Sequence, residues 1–166
     1  MTQLDETLLL EKTIWTNDDF KIMGWHDAQI HAFAFDNNSK SRTGDLLLDI
    51  DYIFKWIHPK VDGGYFYFWV APCTLTFKNA IDLDINFQTN AYETNAQEID
   101  ELTLTKEKSK HSDIELNRWT IQLRTGYISF VSEGFTQIVR QKPILTGSQQ
   151  LRHEERNGIS FNRQHC

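Results

Sequence analysis

The sequence predicts a mainly β protein, an antiparallel sandwich or strongly curved sheet of about nine or ten strands with one short N-terminal helix. Three observations carry this. Apolar residues alternate with polar ones in segment after segment from Ala28 onward. Turn residues recur at strand-length intervals, as at Thr43-Gly44, Asp62-Gly63-Gly64, Thr125-Gly126 and Asn157-Gly158. Helical periodicity is confined to Leu4–Lys12, where Leu4, Leu8 and Leu9 share a face.

The elements follow in order. Short apolar pieces at 12–15 and 20–25 flank a polar turn cluster, Thr16 to Asp19. A strand from Ala28 places Ile30, Ala32 and Ala34 on one side and His31, Phe33 and Phe35 on the other. A polar loop, 36–44, leads into a strand from Asp45 to Trp56. One face of that strand is Leu46, Leu48, Ile50, Tyr52 and Phe54; Asp49 and Asp51 fall on the opposite, less buried face. After a turn at 61–64 comes an aromatic strand, 65–70, whose alternation puts Tyr65, Tyr67 and Trp69 together.

Pro72 marks a bend, and the segments 73–78 and 81–88 read as separate strands joined at Asn79-Ala80. In the second, Ile81, Leu83, Ile85 and Phe87 face a core while Asp82 and Asp84 face water. A strand at 99–105 precedes a charged loop, 106–113. Further strands are expected at 115–124, 127–132, 134–140 and 144–145, with a last short piece at 159–161 and fraying beyond it.

Composition narrows the function classes. The 166 residues suit one domain, 1–166, large enough to bury a core without staples. Cys73 and Cys166 form no disulfide framework or metal-binding spacing, which fits a reducing, cytoplasmic setting. No apolar run approaches the roughly 20 residues of a membrane span. The net charge of -6 disfavours nucleic acid, whose phosphates are bound by Lys and Arg, and suits a basic protein partner. No nucleophile elbow, phosphate-binding glycine loop or zinc-protease motif is present, so no catalytic residue, cofactor or metal is assigned.

Two constellations stand out as binding candidates. Trp25, His26 and Asp27, with His31 and the strand pair Asp49 and Asp51, bring imidazoles and carboxylates together if the two strands form a hairpin. On a regular strand, however, His26 and His31 point to opposite faces. Tyr65, Tyr67 and Trp69 form the second, an aromatic platform for a sugar, a base or a protein. Arg118, Arg124 and Arg140 are a lesser candidate, for an anion, and Glu154, Glu155 and Arg156 read as locally paired surface charges.

The run Gly24-Trp25-His26-Asp27-Ala28-Gln29-Ile30-His31, followed by Gly44-Asp45-Leu46-Leu47-Leu48-Asp49-Ile50-Asp51, resembles the opening of small uncharacterised bacterial β-rich proteins, some of them similar to immunity proteins of polymorphic toxin systems. The resemblance implies protein binding and carries over no catalytic residue. The expected function is therefore a non-catalytic interaction domain whose acidic surface, including Asp49, Asp51, Asp82 and Asp84, meets a basic partner. The alternatives are a sugar or nucleotide binder using the aromatic platform, and a metal-dependent enzyme using His26, Asp27, His31, Asp49 or Asp51. An unpaired edge strand is the expected route to a homodimer.

Overall fold

In the computed structural model, which describes residues 7–37, 43–88 and 97–166, nine strands form one curled antiparallel sheet. They are β1 (Ile14–Thr16), β2 (Gln29–Asp36), β3 (Gly44–Ile57), β4 (Tyr67–Phe87), β5 (Ile99–Lys108), β6 (Glu115–Leu123), β7 (Gly126–Val131), β8 (Gly134–Val139) and β9 (Ile144–Thr146). No α-helix forms among the described residues. The expected helix at 4–12 is corrected for its described part: residues 7–12 are irregular, and 4–6 lie outside the described residues. Three leucines on a few turns are too short a stripe to offset helix nucleation.

β4 is the spine. The bend expected at Pro72 and the break at Asn79-Ala80 are both absent, and what reads as three strands is one of 21 residues. Pro72 is tolerated because its carbonyl, which accepts from the Arg140 N–H at 3.0 Å, faces the edge where the neighbouring strand changes. β9 pairs with 68–70 and β8 with 73–78, so the missing N–H falls in the gap. Asn79 and Asp82 adopt left-handed φ values of 50° and 51°, kinking the strand without ending it. Beyond the kink β4 pairs with β7, which continues to β6 and β5. The other edge of β4 carries β3, then β2.

The curl brings the two ends of this sheet together. Asp27 N–H donates to the Ile99 carbonyl at 2.8 Å, Ile99 N–H to Ala28 at 2.9 Å and Ile30 N–H to Gln97 at 3.2 Å. The result is a half-barrel whose seam lies between the beginnings of β2 and β5. Its concave side holds Leu46, Leu48, Ile50, Leu75, Phe77, Trp119, Ile121, Phe130 and Phe135, all buried. Trp25 lies in this core, edge-on to Phe135 at 5.4 Å, with its indole N–H donating to Gln137 Oε1 at 2.8 Å.

Two further expectations change. The segment 106–108 belongs to β5, because Lys106, Glu107 and Lys108 pair in register with Asn117, Leu116 and Glu115; the charged loop is shorter than the sequence indicates. In the last part of β4, Leu83 and Ile85 pack on the core as expected, but Ile81 and Phe87 are exposed.

Candidate functional site

The convex face of β3 and β4 is where the structure departs most from the sequence pattern. Leu47, Asp49, Asp51 and Ile53 lie on this face, and all four are buried. The expectation that the two aspartates sit on the less buried surface is corrected: both are fully buried. The cause is the segment 147–166, which runs across the face with almost no regular structure. Leu151 packs there against Ile53, Phe68 and Val70 as a second small core.

The remaining attachments of this segment are polar. Gln149 donates to Asp27 Oδ2 at 2.8 Å, and Leu151 N–H to Asp51 Oδ2 at 2.8 Å. Arg156 grips Asp49 bidentately, Nη1 to Oδ2 at 2.9 Å and Nη2 to Oδ1 at 2.6 Å, while its Nε donates to Asp51 Oδ1 at 3.1 Å. Ser160 N–H donates to Asp49 Oδ2 at 3.0 Å, and Thr74 Oγ1 to the Asn162 carbonyl at 2.6 Å. Arg163 reaches Asp36 and Asp45 at 3.0 and 3.5 Å, and Cys166 N–H bonds the Val139 carbonyl at 3.0 Å. The stretch 162–166, expected to fray, is tied at these points.

Arg140, just past β8, completes the cluster. Its Nη2 donates to Asp49 at 2.6 Å and its Nη1 to Thr74 Oγ1 at 2.8 Å. Two buried carboxylates thus meet two buried guanidiniums, a balance that burial of ions demands. Burial by itself pushes the Asp49 carboxyl up, but Arg156, Arg140 and the Ser160 N–H outweigh it and hold the group below the usual carboxylate range.

His31 joins this cluster, as the hairpin argument expects: its Nε2 lies 2.8 Å from Asp51 Oδ2. The β2–β3 register shifts between Ile30 and Ala32. Ile30 pairs with Ile50 of the core face, but Ala32 and Ala34 pair with Asp49 and Leu47 of the convex face, so the single face expected for Ile30, Ala32 and Ala34 is split at His31. His26 is elsewhere. It precedes β2 in a turn, with Nδ1 3.0 Å from the Asp100 carbonyl and Nε2 3.4 Å from Asp27. The five polar candidates therefore divide between two places, and Trp25 belongs to the core. Among the described residues, no three His, Cys, Asp or Glu side chains converge as a metal-binding group.

The three arginines also separate. Arg118 pairs with Glu107 and Asp82, Arg124 with Glu98, and Arg140 with Asp49. Arg156, read from sequence as a local surface charge, is the central buried cation. Its signal was indirect: two aspartates interrupting the run Leu46–Ile53 need a cation, but nothing in the sequence says which one.

The aromatic candidates lie at the far end of the β3–β4 hairpin. Tyr65 is 85% exposed and Tyr67 44%, whereas Trp69 is 7% exposed and faces inward. A three-ring platform does not form. Instead Tyr65, Phe66 and Tyr67 join the exposed Trp56 and Val61 in one aromatic end. Trp56 lies edge-on to Phe66 and Phe68, at 6.3 and 5.0 Å, and His58 meets Phe66 at 5.1 Å. Lys55 and Lys60 flank these rings, exposed.

No family model, curated protein or solved structure matches this chain. No helix among the described residues is long and apolar enough to cross a membrane.

Proposed function

We propose that this chain is a non-catalytic interaction domain, of the kind immunity proteins represent, that docks a protein partner through the aromatic end of its β3–β4 hairpin. One observation carries the reading: Trp56, Val61, Tyr65, Phe66 and Tyr67 are all exposed at the end of the β3–β4 hairpin, with Trp56 and Phe66 in ring contact on one face and Tyr67 on the other. Large rings contribute most of the energy of protein interfaces and lose little side-chain entropy on binding. Large apolar side chains left exposed at one end of a fold mark interaction sites.

The acidic balance of the chain retains a role in this reading, that of raising the rate of encounter with a basic partner. It is not a contact surface built on Asp49 and Asp51, because both are buried against arginines. Asp82 and Asp84 also have partners, Arg118 and Tyr127. The ligand-binding alternative is left with two tyrosines, since Trp69 is inward.

The test is co-expression with the proteins encoded beside this chain. A partner that co-elutes with the native chain and is lost in Tyr65→Ala/Phe66→Ala/Tyr67→Ala, with circular dichroism and Tm unchanged, supports the reading. Capture that survives the triple substitution places the interface elsewhere, and the absence of any co-eluting neighbour removes the proposal.

A further inference from the structure

The seam that closes the half-barrel is built around two carboxyl groups. Asp27, in the turn before β2, adopts a left-handed φ of 63° and donates its N–H across the seam to the Ile99 carbonyl. Glu98 pairs with Gln29 as an isolated bridge across the same seam, and it is 7% exposed. The two carboxyls line one small polar cavity, and each raises the cost of ionising the other. This cavity of about 90 Å³ lies between the pair and the segment 147–166, lined by Asp27, Gln29, Glu98, Ser148, Gln149 and Gln150 and bridged where Gln149 donates to Asp27.

Charge balance is where this seam differs from the cluster on the convex face. There, two carboxylates meet two buried guanidiniums. Here the groups facing the pair are His26 from the preceding turn, Asp100 from β5, and Arg124 from the β6–β7 turn, which reaches Glu98 at 3.3 Å and is half exposed. The segment 147–166 contributes only the neutral Ser148, Gln149 and Gln150. Across from Gln29 on β3 lies Asp51, already bound by His31 and Arg156. With all carboxyls ionised, Asp27, Glu98 and Asp100 confront one guanidinium and an imidazole.

A proton resolves the excess. Two adjacent, largely buried carboxyls do not both ionise readily, and a neutral one becomes a donor to the other. Burial, then the neighbouring Asp27, holds Glu98 above the usual glutamate range. The His26 imidazole is raised as well, by its hydrogen bond to the Asp100 carbonyl and then, against some desolvation, by Asp27. With Glu98 neutral and His26 charged, two cations face two carboxylates.

We propose that the β2–β5 seam is a proton-operated closure, in which a proton shared by Asp27 and Glu98 holds the half-barrel shut and its loss loosens both the seam and the Gln149 anchor. The sign follows from the raised groups. Each contributes stability that is present at low pH and is lost as pH rises through its value in the folded chain. The effect is local, because the backbone bonds across the seam are few, whereas β3 and β4 pair over their whole common length. It extends toward the docking end, since Gln149 follows β9, whose Thr146 pairs with Phe68.

Hydrogen exchange of the full chain, corrected for the intrinsic pH dependence of exchange, tests this at about pH 5 and about pH 8, either side of the range in which raised carboxyls and imidazoles titrate. The amides of Asp27, Ile30, Ile99 and Arg124 are expected to lose about tenfold in protection at the higher pH relative to amides of β4 paired with β8. Glu98→Gln, which keeps a donor to Asp27 at every pH, is expected to remove most of the difference and leave only the part that His26 contributes. Equal protection at both pH values overturns the proposal, and so does a Glu98→Gln chain that keeps the wild-type pH dependence. If that variant does not fold, a carboxyl NMR titration of the wild type serves instead: a Glu98 midpoint in the ordinary glutamate range overturns the proposal, and a raised one coupled to Asp27 upholds it.

Discussion

Arg156→Ala is the most searching perturbation of this fold. It removes three hydrogen bonds to buried carboxylates, two on Asp49 and one on Asp51, and leaves both aspartates with other partners. Asp49 keeps Arg140 and the Ser160 N–H; Asp51 keeps His31 and the Leu151 N–H. What is lost is one positive charge from a buried set of two against two. Uncompensated buried charge costs about 3–5 kcal/mol when one partner of an ion pair is removed. An independent bound comes from protonation, since neutralising one ordinary carboxyl at pH 7 costs at most about 4 kcal/mol, at 1.36 kcal/mol per pH unit. The two figures agree, so about 4 kcal/mol is expected at pH 7.

That bound falls as pH falls, to about 1.5 kcal/mol at pH 5, leaving only the lost packing of the arginine stem. The wild type behaves oppositely at lower pH. Its depressed Asp49 contributes stability that is present above the usual aspartate value and is lost as pH drops below it. Urea denaturation of both proteins at about pH 7, 6 and 5 reads this directly, and at neutral pH the Tm is expected to fall by roughly 6–20 °C. A penalty below about 1 kcal/mol at pH 7, or one that does not shrink toward pH 5, would refute the ionic account of how 147–166 is held.

Other outcomes follow from single contacts. His31→Ala removes the imidazole from Asp51 and is expected to cost about 1–2 kcal/mol in urea denaturation, less than Arg156→Ala because no buried guanidinium leaves. Burial pushes the Cys73 thiol well above its ordinary value, whereas Cys166 is exposed. A thiol reagent is therefore expected to label Cys166 alone in the native chain and both cysteines in denaturant. Gly126→Ala places a Cβ 2.0 Å from the Asn86 carbonyl oxygen at a φ of 124°, so it should destabilise by about 2 kcal/mol or more and expose the β4–β7 amides to exchange.

Much of the sheet is legible in the sequence because it rests on alternation that one strand carries alone. Leu46, Leu48, Ile50 and Tyr52 specify a core face whatever pairs with them, and Trp119, Ile121 and Leu123 do the same in β6. Asn157-Gly158 forms the tight turn its dipeptide encodes, with φ values of 57° and 74°. Errors arise where a residue's meaning depends on a neighbouring strand. Pro72 is harmless only because β9 gives way to β8 beside it, and Lys106–Lys108 are strand only because β6 lies alongside.

The candidate site divides in the same way. Local sequence was enough to mark His31, Asp49 and Asp51 as neighbours, since a hairpin register is short-range. It was silent on Arg140 and Arg156, which arrive from more than 90 residues away in the chain. A period-two pattern states which side a residue faces and not whether that side is covered, so polar aspartates read as solvated. Only the path of 147–166 across the convex face makes it an interior, because a segment without regular structure leaves no periodic trace in the sequence, and the burial it imposes exists only once it has docked.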